Sequence, residues 1–224
     1  MTVTRRVSDP ARTDDRRADD PALTDDRRAG DPARTYESTV IELSREHPER
    51  FGEIFDAHFA EIYRYVVSRL GPGPAEDVVA DTFLTAFHKR ARYDAGRASV
   101  RTWLYGIATK LVGKHRRTEI RALRAIGRRG PDPDDGGHED RVITQVSAQG
   151  LRPEIAAAVA ALSRGERDVL LLVALAGFSH DEISAALGIP YGTVGSRLNR
   201  ARRKLRDALG GTNPMLDRED PSRG

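Results

Sequence analysis

With 224 residues, of which 38% are hydrophobic and 32% charged, the chain has room for two small domains with real cores and the composition of a soluble protein. Its longest apolar run, Val169 to Phe178, is ten residues, too short to span a bilayer, and the polar N-terminus lacks the apolar stretch of a signal peptide, so a cytoplasmic chain without membrane insertion is expected. The absence of cysteine excludes a disulfide framework, a thiol switch and cysteine-ligated zinc, while the formal net charge of +3 conceals a very uneven distribution along the chain.

Residues 1–37 carry an 11-residue repeat, DPARTDDRRAD from Asp9, DPALTDDRRAG from Asp20 and the start of a third copy from Asp31. Each copy holds a proline and too few apolar residues to build a seam, and eight arginines stand against nine acids. That composition predicts a disordered polyampholyte tail.

From Ser38 to Arg129 the hydrophobic spacing is helical, over Val40 to Glu46, Phe51 to Leu70, Ala75 to Tyr93 and Ser99 to Arg117 or beyond. Breaks fall at GPGP (Gly71 to Pro74) and DAGRAS (Asp94 to Ser99), where the turn chemistry is strong. The helix from Ala75 puts Val79, Phe83, Ala86 and Phe87 on a core face and Asp77, Ala80, Asp81 and Leu84 on the other. An acidic surface that also exposes apolar groups suits a protein partner better than DNA, whose phosphates repel it. Acids at a helix start also favour the helix dipole, so a plain solvated face fits the spacing equally well.

The next helix places Val100, Trp103, Leu104, Ile107 and Leu111 on one face, which makes Trp103 a core residue rather than a base-stacking platform. The opposite face collects Thr102, Tyr105, Thr109, Gly113 and Arg116, small or polar groups able to sit against a nucleic acid strand. The polar loop before it could hold an unstacked base or be an ordinary connector. Lys110 to Arg129 carries eight basic residues against one acid. Gly130 to Asp140, with five acids among glycines and prolines, reads as a flexible acidic linker.

Ser179 to Leu209 has the outline of a helix-turn-helix. Ser179 and Glu182 form a capping box, Ile183, Ala186 and Leu187 a buried stripe, Gly188 a stop and Pro190 a start. In the second helix Val194, Leu198, Ala201 and Leu205 share the apolar face. Gly192, Ser196, Asn199, Arg200 and Arg203 lie opposite, flanked by Thr193, Arg197 and Lys204 on one side and by Arg202 and Arg206 on the other. Six basic residues between Pro190 and Leu209 meet one acid, and Arg200 is the leading candidate for a base contact. Two basic regions on a flexible tether suit two contacts with one DNA molecule.

The segments PAEDVVADTFLTAFHKRARYD, ASVRTWLYGIATKLVGKHRR and LSRGERDVLLLVALAGFSHDEISAALGIPYGTVGSRLNRARRKLRDAL, in that order around an acidic linker, closely resemble the extracytoplasmic-function (ECF) sigma factors of bacterial RNA polymerase. The resemblance covers about Phe51 to Arg117 and Pro153 to Leu209. With the resemblance, an all-α protein is expected, with a helical domain for polymerase binding and −10 recognition (38–129), a linker (130–150) and a helix-turn-helix domain for the −35 element (151–210), flanked by the compositionally disordered tail (1–37) and a second disordered tail (211–224). Implied partners are the polymerase core, through its β′ clamp helices and β flap, promoter DNA and an anti-sigma protein; no cofactor or metal is implied.

The implied polymerase contacts are Asp77, Ala80, Asp81 and Leu84. Those to the −10 element are Asp94, Ala95, Gly96, Arg97 and Ser99 of the loop with Tyr105, Thr109, Lys110, Arg116 and Arg117 of the helix. Those to the −35 element are Thr193, Ser196, Arg197, Asn199, Arg200, Arg203 and Lys204. The chain departs from the family pattern at Lys110, where asparagine is common, and at Gly106 and Gly195, where a basic residue is usual. Promoter sequence therefore does not transfer.

An enzyme reading finds only the dipeptide His180-Asp181, with no HExxH, phosphate-loop or GxSxG motif among the six histidines and the glycine-rich turns. A dimeric helix-turn-helix repressor or activator is the competing expectation, and it needs a sensor or dimerisation unit in the Ser38 to Arg129 block.

Overall fold

A computed structural model describes residues 32–126 and 153–210. The tail before residue 32, the acidic linker and the tail from residue 211 lie outside the described residues. Every regular element among the described residues is helical: α1 (Pro32–Leu43), α2 (Phe51–Leu70), α3 (Ala75–Lys89), α4 (Val100–Ile126), α5 (Pro153–Ala160), α6 (Arg164–Ala176), α7 (His180–Leu187) and α8 (Tyr191–Ala208), with single 3-10 turns at Pro48–Arg50 and Arg90–Arg92.

α1 corrects the expected tail boundary, because residues 32–37 of the third repeat are helical and not part of a disordered segment. Pro32 stands at the first helical position, where its missing N–H costs nothing, and the helix is anchored by Val40 and Ile41, both essentially inaccessible. Glu37 adds a second anchor by reaching His58 in α2, 3.1 Å away. Repeat composition hid this start, since the stabilising contacts lie on another helix.

α2 and α3 form an antiparallel pair around the GPGP turn. Gly71 closes α2 at φ 80°, a backbone state that suits glycine. Ile54, Ile62, Tyr65 and Val66 of α2 meet Val78, Val79, Phe83 and Ala86 of α3, and Val100, Leu104, Ala108 and Val112 of α4 complete the core. Each fully buried aliphatic side chain there contributes about 1.5–3 kcal/mol relative to exposure. α3 ends at Lys89, four residues short of the expected Tyr93, which instead packs its ring against Trp103 at 5.1 Å and donates from its hydroxyl to the Ala98 carbonyl at 2.9 Å.

The C-terminal unit is set by local chemistry. α6 and α7 both begin with capping boxes, Ser163 with Glu166 and Ser179 with Glu182, and both end at glycines in the left-handed region, Gly177 and Gly188, each at φ 66°. Such caps are worth about 1 kcal/mol each. The fully buried Arg167 donates to the carbonyls of Val159, Ala160 and Leu162, satisfying the last turn of α5. The two units do not stand apart: α7 lies against α4, and Val169, Leu172, Phe178 and Ile183 join the same apolar cluster as the N-terminal helices.

Candidate nucleic-acid interface

On α3 the expected partner face is open. Asp77, Ala80, Asp81 and Leu84 are all exposed, Leu84 by 53%. Beside them α2 exposes Phe55 and Phe59, whose rings lie 5.0 Å apart and reach Phe83 at 4.9 and 6.5 Å. This aromatic strip beside the acids was not among the expected contacts. Its signal was the four-residue spacing of Phe55, Phe59 and Tyr63, whose rings form one row.

The loop between α3 and α4 is tied down at both ends. Asp94 accepts from the Gly96 N–H at 2.9 Å, Arg34 of α1 donates to the Ala95 carbonyl at 3.2 Å, and Ser99 accepts from the Thr102 N–H at 3.2 Å. Asp94, Gly96 and Arg97 are exposed, whereas Ala95 and Ser99 are half-buried.

Three expected contacts on α4 are corrected. Tyr105, Thr109 and Arg116 are buried, at 2%, 2% and 6% exposure, and cannot touch a nucleic acid strand in this arrangement. These residues share one face of α4, and α2 packs against it. Arg69 donates to the Tyr65 hydroxyl at 2.8 Å. The Thr109 hydroxyl donates to the Tyr105 carbonyl at 2.8 Å, which leaves Tyr65 to donate to Thr109 across the 2.8 Å between their oxygens. Arg116 donates to the Arg69 carbonyl. Burial, reinforced by the nearby Glu61 carboxylate, pushes the Tyr105 hydroxyl up to about 12. Among its described side chains α4 exposes the basic groups Lys110, Lys114, Arg117 and Arg121, and Trp103, half-buried, lines a cleft with Lys110.

On α8, Val194, Leu198 and Ala201 are buried, while Ser196, Asn199, Arg200, Arg203 and Lys204 are exposed and Thr193 and Arg197 half-buried. The expected contact residues of α8 divide into two sets. Lys204 donates to Glu166 at 2.8 Å, the Arg200 guanidinium lies 3.8 Å from the same carboxylate, and Arg197 sits over Gly165. Burial would raise the Glu166 carboxyl, but Lys204 and the Ser163 backbone outweigh it and hold it below the usual range. Ser196, Asn199 and Arg203 instead lie on the face opposite the buried stripe. Gly195 has open space around it, so a longer residue there would project freely.

His180 opens α7 with its ring 5.5 Å from that of Tyr191, and no group of three metal-ligating side chains occurs among the described residues. No described helix is long and apolar enough to cross a membrane.

Residues 54–133 match the family model described as Sigma-70 region 2, and residues 152–205 match that described as Sigma-70, region 4. Over 149 residues the chain is 36% identical to a probable RNA polymerase sigma-C factor of Mycobacterium bovis, an alignment covering 65% of this chain and 75% of that protein. Over 158 residues it is 35% identical to the ECF RNA polymerase sigma factor SigL of Mycobacterium tuberculosis, covering 70% and 86%. The solved sigma factor RpoE, in complex with the anti-sigma factor NepR from Bartonella quintana, aligns with a TM-score of 0.55 at 22% identity over 73% of this chain and 98% of that one, a likeness of fold.

Proposed function

This chain belongs to the extracytoplasmic-function sigma factors of bacterial RNA polymerase, and from that premise we propose how its surfaces divide the work of directing transcription initiation. It acts as an initiation factor: the polymerase supplies phosphodiester chemistry, and this chain supplies promoter choice and strand opening. Its place of action is the cytoplasm, with an anti-sigma protein among its partners.

The exposed strip of Asp77, Asp81 and Leu84, extended by Phe55 and Phe59, docks on the polymerase clamp. Acids rim an apolar centre there, so the partner surface is basic and apolar. The Asp94 to Ser99 loop takes up unpaired −10 bases, while Arg97, Lys110, Lys114 and Arg117 hold the strand by its phosphates. On α8, Ser196, Asn199 and Arg203 read base edges of the −35 element. Arg197, Arg200 and Lys204, drawn towards the start of α6, meet the backbone. The working units are residues 38–129, lengthened by α1, and residues 151–210, joined through 130–150.

The observation that carries this reading is the separation of one acidic, aromatic face from two basic faces on a chain that matches both sigma regions. It disfavours a dimeric regulator, because the block before the linker matches region 2. The test is reconstitution with bacterial core polymerase on a promoter library. Promoter-dependent transcripts are expected, and their absence would sink the reading. Asp77→Arg combined with Asp81→Arg is expected to weaken core binding at least tenfold, about 1.4 kcal/mol or more, while the C-terminal helix-turn-helix of the full chain still binds DNA.

A further inference from the structure

α1 lies ahead of residues 54–133, the segment that matches Sigma-70 region 2, yet it is built into the same unit. Val40 and Ile41 are buried in the core, Glu37 reaches His58 at 3.1 Å, and just past the helix end the Ser44 carbonyl accepts from Arg90 at 3.0 Å. Held at its middle and its far end, α1 is a fixed platform for the side chains at its near end.

From that platform Arg34 crosses to the loop between α3 and α4. Its guanidinium donates to the Ala95 carbonyl at 3.2 Å, over 61 positions of sequence. On the far side of the loop tip the Ala98 carbonyl accepts from the Tyr93 hydroxyl at 2.9 Å. The two bonds clamp the backbone on either side of Gly96 and Arg97, which are exposed. α1 also backs the second clamp: Ser38, whose hydroxyl donates to the Arg34 carbonyl at 2.9 Å, sits 3.4 Å from the Tyr93 oxygen. Inside the loop the Asp94 side chain accepts from the Gly96 N–H at 2.9 Å, and the Asp94 carbonyl accepts from the N–H groups of Arg97 and Ala98 at 3.2 and 3.3 Å. A groove of about 640 Å³ is lined by Arg34, Thr35, Ser38 and Thr39 together with the loop, so its width depends on how helix and loop are tied.

Arg34 belongs to the 11-residue repeat, which the sigma-factor reading otherwise leaves without a role. It follows Asp31-Pro32-Ala33 in the third copy, as Arg12 follows Asp9-Pro10-Ala11 in the first, whereas the second copy has Leu23 there. A leucine has no donor for a carbonyl. The copy that enters the fold is thus one that carries the donor.

We propose that Arg34 of α1 is a positioning residue for −10 recognition: by holding the Ala95 carbonyl it sets the backbone shape in which the loop presents Gly96 and Arg97 to an unpaired base. Its contribution is shape, not charge. A loop of small residues reads a base through backbone and short side-chain groups, which must be placed within about 0.5 Å to be selective. A bond that touches no DNA therefore governs base preference. The inference rests on the reading of Asp94 to Ser99 as the −10 loop, but the brace itself is measurable without DNA.

Hydrogen–deuterium exchange of the full chain reads the brace. Arg34→Ala is expected to speed exchange of the Gly96, Arg97 and Ala98 amides by about fivefold, the worth of one hydrogen bond, at unchanged helical content. Arg34→Lys, long enough to donate to the same carbonyl, is expected to exchange as the parent does. The full chain with core polymerase, on a promoter library randomised in the −10 element, reads the consequence. Arg34→Ala should lower discrimination between −10 bases by about fivefold, with −35 preference and salt dependence unchanged, and Arg34→Lys should restore it. Tyr93→Phe, which releases the other clamp without altering charge, should flatten the same positions.

Identical loop exchange in the parent chain and Arg34→Ala would overturn the brace. Equal weakening of all sequences by Arg34→Ala, with a salt slope smaller by about 0.7, would make Arg34 a phosphate contact instead. Faster exchange with unaltered −10 preference, or a Tyr93→Phe chain that keeps the parent's preference, would overturn loop shape as the cause of selectivity. If exchange responds as expected but the parent chain with core polymerase makes no promoter-dependent transcripts, the sigma reading fails while the brace stands.

Discussion

α4 and α8 carry similar sequence patterns, an apolar stripe with polar and basic groups opposite, yet only α8 uses its polar face as the pattern suggests. α8 buries Val194, Leu198 and Ala201 and leaves Ser196, Asn199 and Arg203 in solvent. α4 is packed on three sides, by α3, by α2 and by α7, so its polar stripe of Thr102, Tyr105, Thr109 and Arg116 becomes interior. An amphipathic pattern therefore marks which side of a helix is apolar. It does not say whether the polar side meets water or a second layer of protein.

The sharpest way to break this comparison is Tyr105→Ala. If Tyr105 is core, the variant loses roughly 3–5 kcal/mol of stability in denaturant unfolding, as large buried aromatics do. Unchanged stability with a selective loss of −10 recognition would return Tyr105 to the DNA surface.

The second prediction concerns the polar layer on α2. Burial favours neutral His58, but hydrogen bonds and attraction from Glu37 and Glu61 prevail and raise it from 6.5 to about 9. Glu61 is held below the usual carboxylate range, because His58 and Arg101 outweigh its own burial. The raised folded value means that protonated His58 favours the fold: its contribution is complete below pH 6.5, fades as pH rises and is gone above about 9. Stability should fall by about 3 kcal/mol at most across that window, and His58→Gln should flatten the dependence. A parent chain equally stable at pH 6.5 and pH 9 would contradict the His58 assignment.

At α8, Asn199→Ala and Arg203→Ala are each expected to change base preference in the −35 element by about 1–3 kcal/mol. Arg200→Ala, whose guanidinium faces Glu166, is expected to weaken all sequences alike and reduce the salt slope by about one. Binding measured on a set of single-base variants at two salt concentrations separates the two outcomes. The smallest effect is Ser179→Ala, which removes the cap of α7 and should cost about 1 kcal/mol in thermal unfolding without altering base preference.

Much of the fold was legible where the deciding contacts are local. The bounds of α2, the GPGP and DAGRAS breaks, the caps at Ser179 and Glu182 and the stop at Gly188 all follow from residues within a turn of one another. The acidic face of α3 was legible for the same reason, although Phe55 and Phe59 beside it were missed because they lie on another helix. Residues 32–37 have the composition of a tail, and the contacts that hold their helix, such as Glu37 to His58, reach another helix. The approach of Arg200 to Glu166 is not legible in the sequence, because the two stand 34 positions apart on different helices.

By itself, the sequence determined that the folded units of this chain are all-α, that one carries a helix-turn-helix and that the motif order is that of ECF sigma factors, because caps, turns and hydrophobic period act over a few turns of chain. Only the tertiary structure decided which polar faces remain surfaces. Arg69 and Asp168 stand 99 positions apart, and Gly106 gains its meaning from the Ala186 carbonyl. Pairings at that separation are fixed by how whole helices pack, and no local spacing encodes them.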